Sequence, residues 1–225
     1  MAVSLVLAES ALELIPKEIQ NRPAVVSDSR RRGREPSLML LDRSFHHSAM
    51  MKLKDGEKRG RPDLVHISLL AATGTPLFLE KKLRVFVHTY PDVVMEIGEG
   101  VRVPKSYLRF RGLAEKLLSE SPERGLVRVY PCTMGKLVKE IVRARFVVGL
   151  SVLGEPLEPE AMARLIVGAR DACIIVGGFP HGHFSRETVG VVDRMLRIHR
   201  SPLEAHVVVA RVLYEVEKAS IRTKD

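Results

Sequence analysis

The stretch CIIVGGFPHGHFSRE (173–187) places two histidines, three glycines and a proline directly after four apolar residues. Several chemistries use those residue types. A phosphate cradle needs the Gly-Lys-Ser/Thr ending of a Walker loop or the G-x-G-x-x-G dinucleotide fingerprint, and this stretch has neither. A metal centre would gather His181 and His183 with His46, His47, His66 or His199. Structural zinc wants four closely spaced Cys or His ligands, a spacing not found here, so no metal is expected. A cofactor loop remains, because Gly177, Gly178 and Gly182 bare N–H and C=O groups that can meet an adenine edge without side-chain interference. A tight turn after a core strand explains the same glycines.

Two further stretches are basic. In RVPKSYLRFRGL (102–113), Arg102, Lys105 and Arg109 are three and four apart. If helical they project to one side, as successive RNA phosphates would require, with Leu113 and Leu117 on a neighbouring stripe facing the core. A solvated helix face has the same pattern. In RGRPD (59–63), Arg61 and Asp63 flank Pro62. The carboxylate can fix the guanidinium fork before RNA arrives, or the pair can be a plain salt bridge. His46-His47 reads either as a catalytic base or as one packed and one solvated imidazole.

These residues need a scaffold, and the chain of 225 residues is long enough to bury one. Buried strands are expected at 3–8, 37–42, 83–90, 126–131, 145–151 and 172–179, with short pieces around Gly98 and Gly100. Helices are expected at 10–20, 45–53, 64–72, 104–119, 133–142 and 203–219. Basic loops fall at 29–34 and 55–63, and Thr223–Asp225 reads as a frayed tail. Alternating buried strands and helices mean an α/β fold. The net charge of +9 implies a polyanionic partner. Only two cysteines occur, Cys132 and Cys173, which suits a reducing, cytoplasmic setting. No apolar run is long enough to span a bilayer, and Glu9 and Glu13 argue against an export signal at the start, so no membrane association is expected.

Taken in order, LLDRSFHHSAM (40–50), GRPDLVHISLL (60–70), VHTYP (87–91), RVPKSYLRFRGL, GLSVLGEP (149–156), VGGFPHG (176–182) and IHRSPLEA (198–205) resemble the ribosome-biogenesis pseudouridine N1-methyltransferases of the SPOUT class, in their compact archaeal form. The resemblance runs from about Val3 to Lys218. It implies one SPOUT methyltransferase domain over 1–225: a parallel-sheet α/β fold with RNA-binding insertions at roughly 44–125 and a C-terminal trefoil knot at roughly 145–220. It implies a homodimer that uses S-adenosyl-L-methionine to methylate N1 of a pseudouridine in a loop of small-subunit ribosomal RNA. Cofactor contacts would come from Leu150, Gly177, Gly178, Gly182, Leu196, Arg197, Ile198, His199, Arg200, Ser201 and Leu203, with 196–201 a loop. RNA contacts would come from Arg61, Arg102, Lys105 and Arg109, with Asp63 orienting Arg61. Asp63 is also the carboxylate to consider as catalytic base. Lys105 stands where arginine is more usual, which costs bidentate phosphate binding but not charge. The alternative is a pre-rRNA-binding ribosome assembly factor without catalysis.

Overall fold

The structure, a computed structural model, describes residues 3–122 and 124–222. Its centre is a seven-stranded sheet: β1 Val3–Ser10, β2 Leu83–Thr89, β3 Val93–Ile97, β4 Val127–Pro131, β5 Phe146–Pro156, β6 Ala172–Gly177 and β7 Arg194–Arg197. The spatial order is β4-β3-β2-β1-β6-β5-β7. Strands β2, β1, β6, β5 and β7 pair in parallel, whereas β3 and β4 extend one edge antiparallel. The α/β class is therefore the expected one, with an antiparallel flank added to the parallel sheet. Central β1 is buried along its whole length, and VSLVLA is accordingly an unbroken small and apolar run with no inside–outside alternation.

Helices cover the sheet. They are α1 Pro23–Arg32, α2 Arg43–Met50, α3 Pro62–Thr73, α4 Pro76–Leu79, α5 Tyr107–Glu120, α6 Met134–Lys136, α7 Pro159–Gly168, α8 Arg186–Val189 and α9 Ala205–Arg222. Helix α6 runs on as a π-turn over Leu137–Val142. Proline opens α1, α3, α4 and α7, where its missing N–H costs nothing. One core joins the sheet to α3, α7 and α9 through Leu64, Leu69, Met162, Ile166, Val209 and Leu213.

Several expected elements differ. Residues 10–20 do not form a helix. Pro16 cannot donate to a preceding turn and disfavours helix at Ile15, so only a 3-10 turn forms at Lys17–Ile19. The segment instead runs alongside 37–42, with Ile15 N–H donating to Met39 C=O at 2.8 Å and Leu41 N–H to Glu13 C=O at 2.9 Å. That contact is a bridge at Leu14 and Leu40, so 37–42 is no sheet strand. The basic run 29–34 is the end of helix α1, closed by Gly33 at φ +58. Arginine is a good helix former, and cations in the last turn favour the helix dipole. The segment 101–103 forms no strand, and α5 begins at Tyr107, so Arg102 and Lys105 precede the helix and only Arg109 lies on it. Leu113 is 39% exposed and does not face the core. Residues 194–197 form a strand, so Leu196 and Arg197 belong to β7 and the loop starts at Ile198. Thr223–Asp225 lie outside the described residues.

Candidate functional site

The parallel strands β5, β6 and β7 deliver Leu150, Gly177 and Arg197 to one end of the sheet, the end where open α/β folds bind ligands. A cavity of about 320 Å³ opens there. Leu150, Val176, Leu196, Leu203, Ala205 and Val208 give it an apolar wall, and 179–184 and 198–203 close it. The lining contains no carboxylate and one guanidinium, that of Arg197. Polar recognition of a ligand therefore falls mainly to backbone groups, His181, His183, His199 and the hydroxyls of Ser151 and Ser201. Gly182 has φ +94, and a Cβ built on it meets nothing within 4 Å. The cradle is open over that residue, as a nucleoside-sized ligand needs.

Of the residues expected at a cofactor, Leu150, Gly177, Gly182, Leu196, Arg197, Ile198, His199, Ser201 and Leu203 line this cavity. Gly178 and Arg200 do not. Gly178 is a packing residue: a Cβ there would sit 2.1 Å from Ser10 Oγ and 2.9 Å from Ser10 Cα. Its N–H donates to Ala8 C=O and its C=O accepts from Ala11 N–H, both at 2.8 Å, joining the end of β6 to β1. Arg200 is exposed on the loop.

One buried carboxylate was not anticipated. Glu9 ends β1 at φ +49, a conformation that L residues rarely hold without support. Its side chain supplies that support by accepting from Ser185 N–H at 2.8 Å and Thr188 Oγ1 at 2.6 Å, and it pairs with Lys58 Nζ. Burial opposes ionisation, but Lys58, Thr188 and Ser185 together hold the carboxyl below its usual range. Lys58 Nζ also donates to His183 C=O at 2.7 Å and lies 4.1 Å from the centre of the Phe179 ring. The loop 179–188 is thus fastened from beneath by Glu9 and from outside by Lys58. The only sequence sign was an acidic residue at the end of an apolar strand.

Lys58 leads within three residues to the second expected group. Arg61 precedes α3 and grips Asp63 with both arms of its fork, Nε–Oδ1 at 2.8 Å and Nη2–Oδ2 at 2.9 Å. That bond raises the arginine's pKa; for Asp63, burial pulls upward but Arg61 overcomes it and lowers the pKa. Arg61 N–H donates to Ala11 C=O at 3.1 Å, while Ala11 N–H bonds Gly178, so Ala11 bridges the two loops. Arg102, Lys105 and Arg109 are all exposed. His66, three residues after Asp63, bonds Pro104 C=O through Nε2 at 2.6 Å and stacks on Phe110 at 4.4 Å. It anchors the 102–109 segment beside α3, and Tyr107 OH adds a bond to Asp42.

The paired histidines divide as one packed and one solvated. His46 is buried, accepts from Asp42 N–H at Nδ1 (3.1 Å) and has its pKa lowered by burial, whereas His47 is exposed. Among the described residues no group of three or more His, Cys, Asp or Glu converges as metal ligands would.

A ligand cavity at the ends of parallel strands, with an oriented guanidinium on the loop hydrogen-bonded to its edge, marks an α/β protein built to hold a small cofactor. The chain belongs to the EMG1/NEP1 methyltransferase family, whose model matches residues 5–217. It is 41% identical over 223 residues to the ribosomal RNA small subunit methyltransferase Nep1 of Staphylothermus marinus, covering 96% of this chain and 95% of that one. The protein of the same name from Thermococcus onnurineus is 40% identical over 216 residues, covering 95% and 97%. Among solved structures, Archaeoglobus fulgidus Nep1 bound to S-adenosylhomocysteine superposes with a TM-score of 0.86 at 33% identity, covering 98% of this chain and all of that one.

Proposed function

We propose that this protein methylates N1 of a pseudouridine in small-subunit ribosomal RNA during ribosome biogenesis, with S-adenosyl-L-methionine as methyl donor. The observation that carries the reading is that the cavity loop is tied to the Arg61–Asp63 loop: Arg61 N–H donates to Ala11 C=O, Ala11 N–H donates to Gly178 C=O beside the lining residues Gly177 and Phe179, and Lys58 donates to His183 C=O. The relatives' names, and the S-adenosylhomocysteine held by the Archaeoglobus protein, agree with it. The cavity's size, open cradle at Gly182 and apolar wall fit the donor, which Gly177, Gly182 and residues 196–199 and 201–203 would hold. When bound, the donor supplies a sulfonium-activated methyl group.

The chain contributes alignment. Leu150, Leu196 and Leu203 line the cavity and would shield a bound donor from water. Arg61, fixed by Asp63, presents its free donors to a phosphate, and Arg102, Lys105 and Arg109 extend that surface along the RNA. Both Asp63 oxygens face Arg61 and its pKa is lowered, so it is a weak acceptor for the N1 proton and suits holding Arg61 better. The N1 proton leaves to solvent, directly or through a neighbouring group acting as base. The target base must leave its stack to reach the cavity, so an unpaired loop nucleotide is the substrate.

The reading includes a single SPOUT domain over 1–225, with the RNA-binding portion at 44–125 and a trefoil knot at 145–220. Support for the knot comes from β5, which pairs with β7 on both sides of an irregular stretch: Leu150 with Leu196, then Glu155 with Leu196 again. At Gly154 an added Cβ would lie 2.5 Å from the Leu196 backbone, so the chain wraps closely around β7. A homodimer acting in the cytoplasm completes the proposal, and the buried free thiols of Cys132 and Cys173 suit a reducing compartment. The test is transfer of labelled methyl to a hairpin carrying a loop pseudouridine, against the same hairpin with uridine. Label in the pseudouridine hairpin alone is expected. RNA binding without incorporation would overturn catalysis and leave an assembly factor.

A further inference from the structure

Away from the cavity, one exposed aromatic ring is flanked by arginines. Phe45, on α2, is 38% exposed. The Arg31 guanidinium, from the last turn of α1, lies 4.9 Å from its centroid, and that of Arg111, on α5, lies 5.8 Å away. Arg31 is 61% exposed, yet its ion-pair partner Asp28 is 4% exposed. A buried carboxylate thus fixes an exposed guanidinium over an exposed ring. The device repeats Arg61–Asp63, where a carboxylate also orients the fork before a ligand arrives.

The patch adjoins helix α5, which carries Arg109 and Arg111 on different faces, two residues being about 200° apart around a helix, and Tyr107 of that helix bonds the Asp42 cap of α2. Arg30 is exposed on α1 beside Arg31, so the surroundings are cationic. An unpaired nucleotide has complementary groups for each part: a π-face for the ring and guanidinium plane, and a phosphate for the charge.

We propose that Arg31 and Phe45 form a second nucleotide contact, holding one unpaired residue that flanks the target in the same RNA. The inference rests on the RNA reading above and extends it to α1 and α2. Such a contact would fix the register of the loop, so that the target rather than its neighbour reaches the cavity.

The test uses a hairpin with a loop pseudouridine, and a set of the same hairpins in which one loop nucleotide at a time is abasic. With the wild-type protein, one abasic position other than the target should weaken binding about tenfold. With Phe45→Ala, binding to the intact hairpin should fall by a similar factor and that abasic position should have no further effect, because the two changes remove the same contact. Arg31→Ala should lower the salt slope of binding by about one. Calorimetry with S-adenosylhomocysteine checks that each variant keeps its fold. Unchanged affinity of Phe45→Ala for the intact hairpin, or additive losses in the cycle, would overturn the contact while leaving the RNA reading intact. A wild-type protein that binds none of the hairpins would overturn both.

Discussion

The cavity loop and the Arg61 loop are tied together by hydrogen bonds through Ala11, yet the cavity and the basic surface are built on opposite principles. The cavity lining has one arginine and no carboxylate, so its selectivity comes from shape, from backbone groups fixed by strand ends and from a few imidazoles and hydroxyls. The basic surface works through guanidiniums, and its best-placed members, Arg61 and Arg31, are each oriented by a carboxylate. A largely apolar wall suits a small ligand that must be enclosed and released; oriented cations suit a large polyanion held by many weak contacts. Lys58 is the exception, since one ammonium on the loop before Arg61 fastens the cavity's own loop.

The contrast can be broken first at its geometric root. Gly178→Ala would drive a methyl group into Ser10, including its backbone, and should destabilise the protein by about 3 kcal/mol. Thermal unfolding would show a large fall in Tm, with both ligand affinities lost together. Val208→Phe, which fills the cavity from α9, should lower S-adenosylhomocysteine affinity by roughly tenfold or more while RNA affinity and Tm stay near wild type. Calorimetry separates the two effects.

Lys58→Met blurs the contrast, because it should weaken both ligands. It strips the buried Glu9 of its counter-ion, leaving Ser185 and Thr188, at a cost of about 2 kcal/mol in stability. Arg61→Ala sharpens it: RNA binding should fall roughly tenfold and lose about one unit of salt slope, with cofactor affinity retained. The smallest effect is on pH. Folding holds the Glu9 carboxyl below 4.5, so the group stabilises the protein above that pH and this contribution is lost as pH falls through the lowered value. Glu9→Gln should therefore give a stability curve that falls less steeply below pH 4.5, read from denaturant midpoints across acid pH.

The strand and helix alternation was legible because β1, β5 and β6 are short apolar runs and α9 has a clear apolar stripe. Gly177 and Gly182 were legible as exposed backbone after Val176, whereas Leu150, Leu196, Arg197, Ile198, His199, Ser201 and Leu203 entered only through the family resemblance. What local pattern could not reveal was long-range. Gly178 resembles Gly177 in sequence, and only the approach of Ser10, distant along the chain, separates packing from lining. Glu9 and Lys58 are ordinary charged residues until β1 and the 55–61 loop meet the cavity loop. Helix α1 was hidden because a run of arginines reads as solvated loop, though Pro23 and Gly33 delimit it. Helix α7 was not anticipated, though Pro159 opens it and Met162, Ala163 and Ile166 repeat at helical spacing.

The most direct test of the two-principle account is to titrate S-adenosylhomocysteine and a pseudouridine hairpin separately into the wild-type protein from about 50 to about 200 mM salt. Cofactor affinity should stay nearly constant while RNA affinity falls steeply and linearly on a logarithmic plot. Parallel slopes for the two ligands, or an RNA affinity indifferent to salt, would contradict it.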